Sequence, residues 1–88
     1  MAGEYNGYPN YETWNVVLWL FNDENYYAKG MRTIREGQSQ GKSIDRNYAA
    51  TVIRTVFDTH TPDRVRVDDE AVDYEVIASV LREAVERN

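Results

Sequence analysis

The sequence predicts a mainly α fold, a compact bundle of about four helices forming a single helical domain over residues 10–88, with an irregular arm at residues 1–9. Three observations lead there. Apolar residues recur at three- and four-residue intervals in four separate segments, the spacing that gathers side chains on one helix face. Asn, Asp, Gly and Pro punctuate the gaps between those segments. Alternation of polar and apolar residues is confined to Arg64-Val65-Arg66-Val67, which predicts only a short extended segment near residues 64–67. At 88 residues the chain has material for one core rather than two.

The elements follow in order. Asn6-Gly7 and Pro9 interrupt regular structure, and the tyrosines around them suit an arm that lies back over the domain. Asn10 is a cap for a helix over Tyr11–Phe21, with Glu12 at its positive end. Trp14, Val17, Leu18 and Phe21 share one side of that helix and are the expected core face. Val16, Trp19 and Leu20 fall elsewhere on the wheel, so the helix is apolar on more than one side and needs burial on both. A second helix is predicted from about Asp23 to Gln38, with Tyr27, Met31 and Ile34 inward. Gly30 weakens it by about 1 kcal/mol relative to Ala, unless close packing requires a small residue. Gly37 to Gly41 reads as a flexible connection. A third helix spans Ile44–Phe57 with Ser43 as its cap. Its β-branched Val52, Ile53 and Val56 also suit a strand, but the length and repeat of the segment favour a helix. Pro62 forces a turn. The last helix covers Tyr74–Glu86, beginning freshly at Asp73, with Tyr74, Ile77, Ala78, Leu81, Ala84 and Val85 on one inward face and Val80 at the margin.

Charge is unevenly spread. The net charge is −5, yet residues 1–28 carry four acids and no Lys or Arg, residues 29–66 eight basic and four acidic groups, and residues 67–88 seven acids and two arginines. Acidic ends around a mildly basic middle argue against direct nucleic-acid binding, although Lys29, Arg32 and Arg35, with Arg46, Arg54, Arg64 and Arg66, supply the material for a local basic face. The absence of Cys excludes disulfides, zinc-thiolate sites and thiol nucleophiles. The first residues lack a basic segment followed by an apolar run, and the longest apolar run, Val16–Phe21, is far short of the roughly 20 residues that cross a bilayer. The cytoplasm, with no membrane contact, is therefore the expected location.

No constellation of residues demands chemistry. Asp68, Asp69, Glu70 and Asp73 lack the Gly-centred spacing of a calcium loop and suit a solvated helix start. His60 is the only His, with Asp58 and Asp63 its neighbours in sequence alone. Gly37 and Gly41 before Lys42-Ser43 approach a phosphate loop, but Glu36 stands where the first glycine is required, and the preceding residues read as helix rather than strand. We therefore expect no catalytic residues, no cofactor and no metal.

The segment Asn10-Tyr11-Glu12-Thr13-Trp14-Asn15-Val16-Val17-Leu18-Trp19 resembles a family of small, largely uncharacterised bacterial and bacteriophage proteins with an Asn-Tyr-Glu-Thr-Trp signature. A shorter match lies at Val72–Ala78, where Tyr74 and Val76 differ from the family's residues. The resemblance implies an accessory role and no catalytic residues. The leading expectation is a non-enzymatic protein that binds a host or bacteriophage protein, using Val16, Trp19 and Leu20 as its interface. One alternative is an acidic, DNA-mimic-like antagonist of a nucleic-acid enzyme acting through Asp68, Asp69, Glu70, Asp73 and Glu75. Another is self-association, as a homodimer or larger structural assembly burying Val16, Trp19 and Leu20 between subunits.

Overall fold

A computed structural model of the chain describes residues 4–87 and contains four helices: α1 (Tyr11–Asn22), α2 (Glu24–Ser39), α3 (Arg46–Phe57) and α4 (Tyr74–Arg87). Residues 1–3 of the expected arm, and Asn88, lie outside the described residues. Each helix opens on a short polar side chain that accepts from its first-turn amides. Asn10 accepts from Thr13, Asp23 from Asn25 and Tyr26, and Asp45 from Tyr48. Asp73 accepts from Glu75 and Val76. Such caps stabilise a helix by about 1 kcal/mol each. The cap of α3 is thus Asp45 rather than Ser43, and Ile44 lies buried just ahead of the helix.

Each helix packs on the next, and α4 returns to α1. The core they enclose holds Val16, Leu20, Ile34, Val52, Ile53, Ile77 and Leu81, all essentially inaccessible to water. Burying a side chain of this size stabilises the fold by about 1.5–3 kcal/mol. Gly30 sits where α2 crosses α1 and α3, and a Cβ there would meet Leu20 Cδ1 at 3.0 Å and Val56 Cγ2 at 3.5 Å. The small residue suits this close crossing, although the Leu20 end is flexible enough to give way. Gly37 is a packing requirement, because it lies within α2 under the Tyr48 ring rather than in a flexible connection. Tyr48 spans the gap and donates its hydroxyl hydrogen to the Thr33 carbonyl at 2.7 Å. The link from α2 to α3 begins only at Gln40, with Gly41 at φ +80° supplying the left-handed turn.

The core face of α1 is rotated from the one the wheel favours. Thr13, Val16, Val17 and Leu20 are buried, whereas Trp14, Leu18 and Phe21 are only partly buried. Both sets have the spacing i, i+3, i+4, i+7, so they differ by a one-residue shift, or about 100° of rotation. Bulk favoured the Trp14 set. The Thr13 set wins because its polar member finds hydrogen-bond partners across the fold.

Those partners lie in the α3–α4 link at residues 58–73. Val67 N–H donates to the Thr59 carbonyl (3.0 Å) and Thr61 N–H to that of Val65 (2.9 Å), with His60 and Arg66 facing each other in an isolated antiparallel bridge. The extended segment expected near residues 64–67 is realised only as this bridge, because Arg64 turns the chain at φ +71°. A second bridge joins Tyr5 to Tyr8 around Asn6 and Gly7, both at positive φ. Residues 5–8 of the arm therefore fold as a tight turn against α1.

Candidate functional site

The polar residues of the Asn10–Trp19 segment fasten the α3–α4 link to α1. Asn10 donates its side-chain amide to the Ala71 carbonyl at 2.6 Å. The Thr13 hydroxyl donates to the same carbonyl (3.3 Å) and accepts from the Asp73 amide (2.9 Å). One turn on, Asn15 donates to Asp63 Oδ2 at 2.8 Å and accepts from the Thr61 hydroxyl at 2.7 Å. Trp19 Nε1 donates to the same Asp63 oxygen at 2.9 Å. Thr13, Asn15 and Thr61 are fully buried, and no buried side-chain polar atom among the described residues lacks a partner. Leaving any of these groups unpaired costs about 1–3 kcal/mol. The Asn15 bond, followed by that of Trp19, holds the Asp63 carboxyl below its ordinary value of 3.8.

This arrangement absorbs most of the residues expected at an interface. Val16 and Leu20 are enclosed by their own chain, at 0% and 2% exposure, so neither presents a surface to a partner or a second subunit. Trp19 is half-buried, packs against the core and is held through its indole N–H by Asp63.

The apolar surplus of α1 emerges on the opposite side. Trp14, Leu18 and Phe21, with Val17 beneath, form one wall of an open groove of about 330 Å³, and Val80 and Ala84 of α4 form the other. Tyr8 also lines it, while Asn22, Glu83 and Arg87 supply its polar groups. Arg87 donates to Glu83 of its own helix at 3.3 Å, so the groove carries one acid and one base already paired. The tyrosine turn extends the aromatic surface. Tyr5 packs on Trp14 at 4.7 Å between ring centroids and on Tyr11 at 5.3 Å. Tyr5 and Tyr11 are the most exposed large apolar residues among those described. The sequence signal for this groove was the two-sided apolarity of α1, read with the two sides exchanged.

The acidic residues do separate structural jobs. Asp68 pairs with Arg66 through two bonds of 2.9 and 3.1 Å, Asp69 accepts from the Ala71 amide, and Asp73 caps α4. Glu70, Asp73 and Glu75 line one cleft, but Arg46 lies in it with them. With Arg66 and Arg46 interleaved, the acids do not form an uninterrupted negative face. His60 is exposed, with Nδ1 2.8 Å from the Thr59 hydroxyl, while Asp63 is engaged by α1. Of the middle cations, Arg64 and Arg66 share a shallow cleft with His60 and Pro62. Arg46 stands apart in the acidic cleft; Arg82, from the C-terminal acidic part, donates to the Ile44 carbonyl at 2.6 Å. Tyr74, half-buried and donating to the Val67 carbonyl at 2.6 Å, is pushed up to about 12 chiefly by burial. Among the described residues, no three His, Asp or Glu side chains are grouped to hold a metal ion, and no helix is long and apolar enough to cross a membrane.

No curated protein and no solved structure matches the chain. The chain belongs to a family of unknown function, DUF7249, whose model matches residues 1–87.

Proposed function

We propose that this family member is a small accessory protein that acts in the cytoplasm by binding another protein, with no reaction of its own. The groove between α1 and α4 carries this reading. Its walls are Trp14, Leu18 and Phe21 on one side and Val80 and Ala84 on the other, spaced at three and four residues along their helices. A partly exposed aromatic and aliphatic strip with a polar rim is the anatomy of a binding hot spot, where Trp and Tyr anchor and the rim excludes water. An open groove leaves much of a small ligand in water, which favours a protein occupant. The resemblance of Asn10–Trp19 to bacterial and bacteriophage proteins makes a host or bacteriophage protein the expected partner. The interface is thus reassigned from Val16, Trp19 and Leu20 to the Trp14 side of the same helix.

The test is affinity purification from native-host and infected-cell extracts with the wild-type chain and Leu18→Asp side by side. Leu18 is only half-buried, so the variant is expected to fold, and thermal unfolding checks this. Partners held by the wild type and lost by Leu18→Asp support the groove; identical retained sets, or none, reject it. Self-association is the competing reading, because a groove with one acid and one base at Glu83 and Arg87 is self-complementary under a two-fold axis. Light scattering across concentration separates the two. An acidic DNA-mimic role ranks below both because of Arg46 and Arg66.

A further inference from the structure

We propose that the cleft formed by His60, Pro62, Arg64 and Arg66 binds a phosphoryl group. Three features converge there. First, the cleft is lined by two arginines and a histidine, of which Arg64 stands unpaired among the described residues and Arg66 is shared with Asp68. Its lining contains no carboxylate, because Asp63 Oδ2 is held by Asn15 and Trp19, and Asp68 is engaged at Arg66 Nε and one Nη. Arg66 keeps its other terminal nitrogen for a ligand. The exposed Arg64 guanidinium makes no hydrogen bond or ion pair among the described residues, and the planar Arg fork matches phosphate oxygens. Second, the donors are placed together by the backbone. The bridge puts His60 and Arg66 side by side, and the Thr59 hydroxyl engages Nδ1 of the exposed His60.

Third, the backbone that presents Arg64 is strained and rigidly held. A non-glycine residue at φ +71° is disfavoured, and the turn persists because buried Thr61 and the pinned Asp63 flank it. Glycine adopts this conformation freely. Holding an arginine there instead gains a guanidinium at the tip of the turn. A nucleic-acid strand requires cations along a path, whereas these are gathered about one point on a chain of net charge −5. A single phosphoryl group fits.

The test is a titration of the full ¹⁵N-labelled chain with inorganic phosphate, followed by amide and arginine side-chain NMR, with chloride at matched ionic strength as control. Phosphate is expected to shift the signals of His60, Arg64 and Arg66 saturably. Arg64→Gly is expected to unfold at the same or a higher temperature than the wild type, yet to bind phosphate at least about tenfold more weakly, the loss of a hydrogen bond to a charged group. Arg64→Lys keeps the charge without the fork and should fall between. Equal shifts from chloride, or unchanged phosphate binding by Arg64→Gly, overturn the site. A phosphoserine peptide and a nucleoside monophosphate form the remaining arms. Tighter binding of either than of inorganic phosphate supports the site and identifies what carries the phosphoryl group.

Discussion

The Thr61 hydroxyl donates to the Asn15 side-chain carbonyl at 2.7 Å, joining two fully buried residues 46 positions apart. Thr61 also accepts from the Val65 amide at 3.2 Å, so this pair sets both the path of the α3–α4 link and its seat on α1. Thr61→Val keeps the shape and removes the hydroxyl, leaving Asn15 Oδ1 and the Val65 amide short of a partner. We expect a loss of about 1–3 kcal/mol in urea unfolding. Adding Asn15→Leu should cost less than the sum of the two single changes, because one substitution has already stranded the other's partner. Additivity within about 0.5 kcal/mol means that the pair is not coupled.

That pair marks where the sequence was legible and where it was not. Four helices could be read, three of them with their starts, because Asn10, Asp23 and Asp73 are local caps, whereas α3 is capped by Asp45 and not by the expected Ser43; close packing at Gly30 is one of two readings the sequence allows. The face of α1 could not. Two sets of residues on it share the same spacing, and the choice rests on Thr13 and Asn15, whose partners lie 58 and 48 positions away at Ala71 and Asp63. A polar residue reads as solvent-facing until those partners are known. Gly37 was misread for a related reason: only Tyr48, from the next helix, shows why a glycine sits in that turn.

Acid should loosen the same latch. Asp63 is held below its ordinary 3.8 by Asn15 first and Trp19 second. A depressed folded value means that the contribution is fully present above the unfolded value and is lost as pH falls through the folded one. The wild type should therefore exceed Asp63→Asn in thermal stability at neutral pH, with the gap closing only as pH falls below about 4. Trp fluorescence reports on the Trp19 indole at this contact. A gap that stays constant down to the acid unfolding limit would show that the carboxylate charge contributes nothing.

Alkali acts on the other end of the link. Tyr74 is raised from 10.0 to about 12, mainly by burial. A raised folded value leaves the contribution intact below the unfolded value and removes it as pH rises through the folded one, so wild-type stability should decline between 10.0 and about 12. In ultraviolet titration of the seven tyrosines, one should ionise late, and Tyr74→Phe should remove that late component. The same variant loses the bond to the Val67 carbonyl and about 0.5–1.5 kcal/mol at neutral pH. A titration curve unchanged by Tyr74→Phe would assign the late ionisation elsewhere.

The two glycines of α2 should respond differently to alanine. Helix propensity alone favours Ala over Gly by about 1 kcal/mol at either position. At Gly30 the new methyl meets Leu20 Cδ1 at 3.0 Å, the far end of a flexible side chain that can yield. Propensity and crowding then nearly offset each other. At Gly37 the methyl falls on the Tyr48 ring, which is fixed by its hydroxyl bond to the Thr33 carbonyl and cannot move without breaking it. Gly37→Ala should therefore destabilise by about 1–3 kcal/mol, the usual range for overpacking, and more than Gly30→Ala. Removing the obstacle discriminates crowding from any other cause. Tyr48→Ala is destabilising on its own, but in that background Gly37→Ala should become neutral or stabilising as propensity takes over. If the alanine costs as much without the Tyr48 ring as with it, the glycine is needed for a reason other than the close approach of α3 to α2.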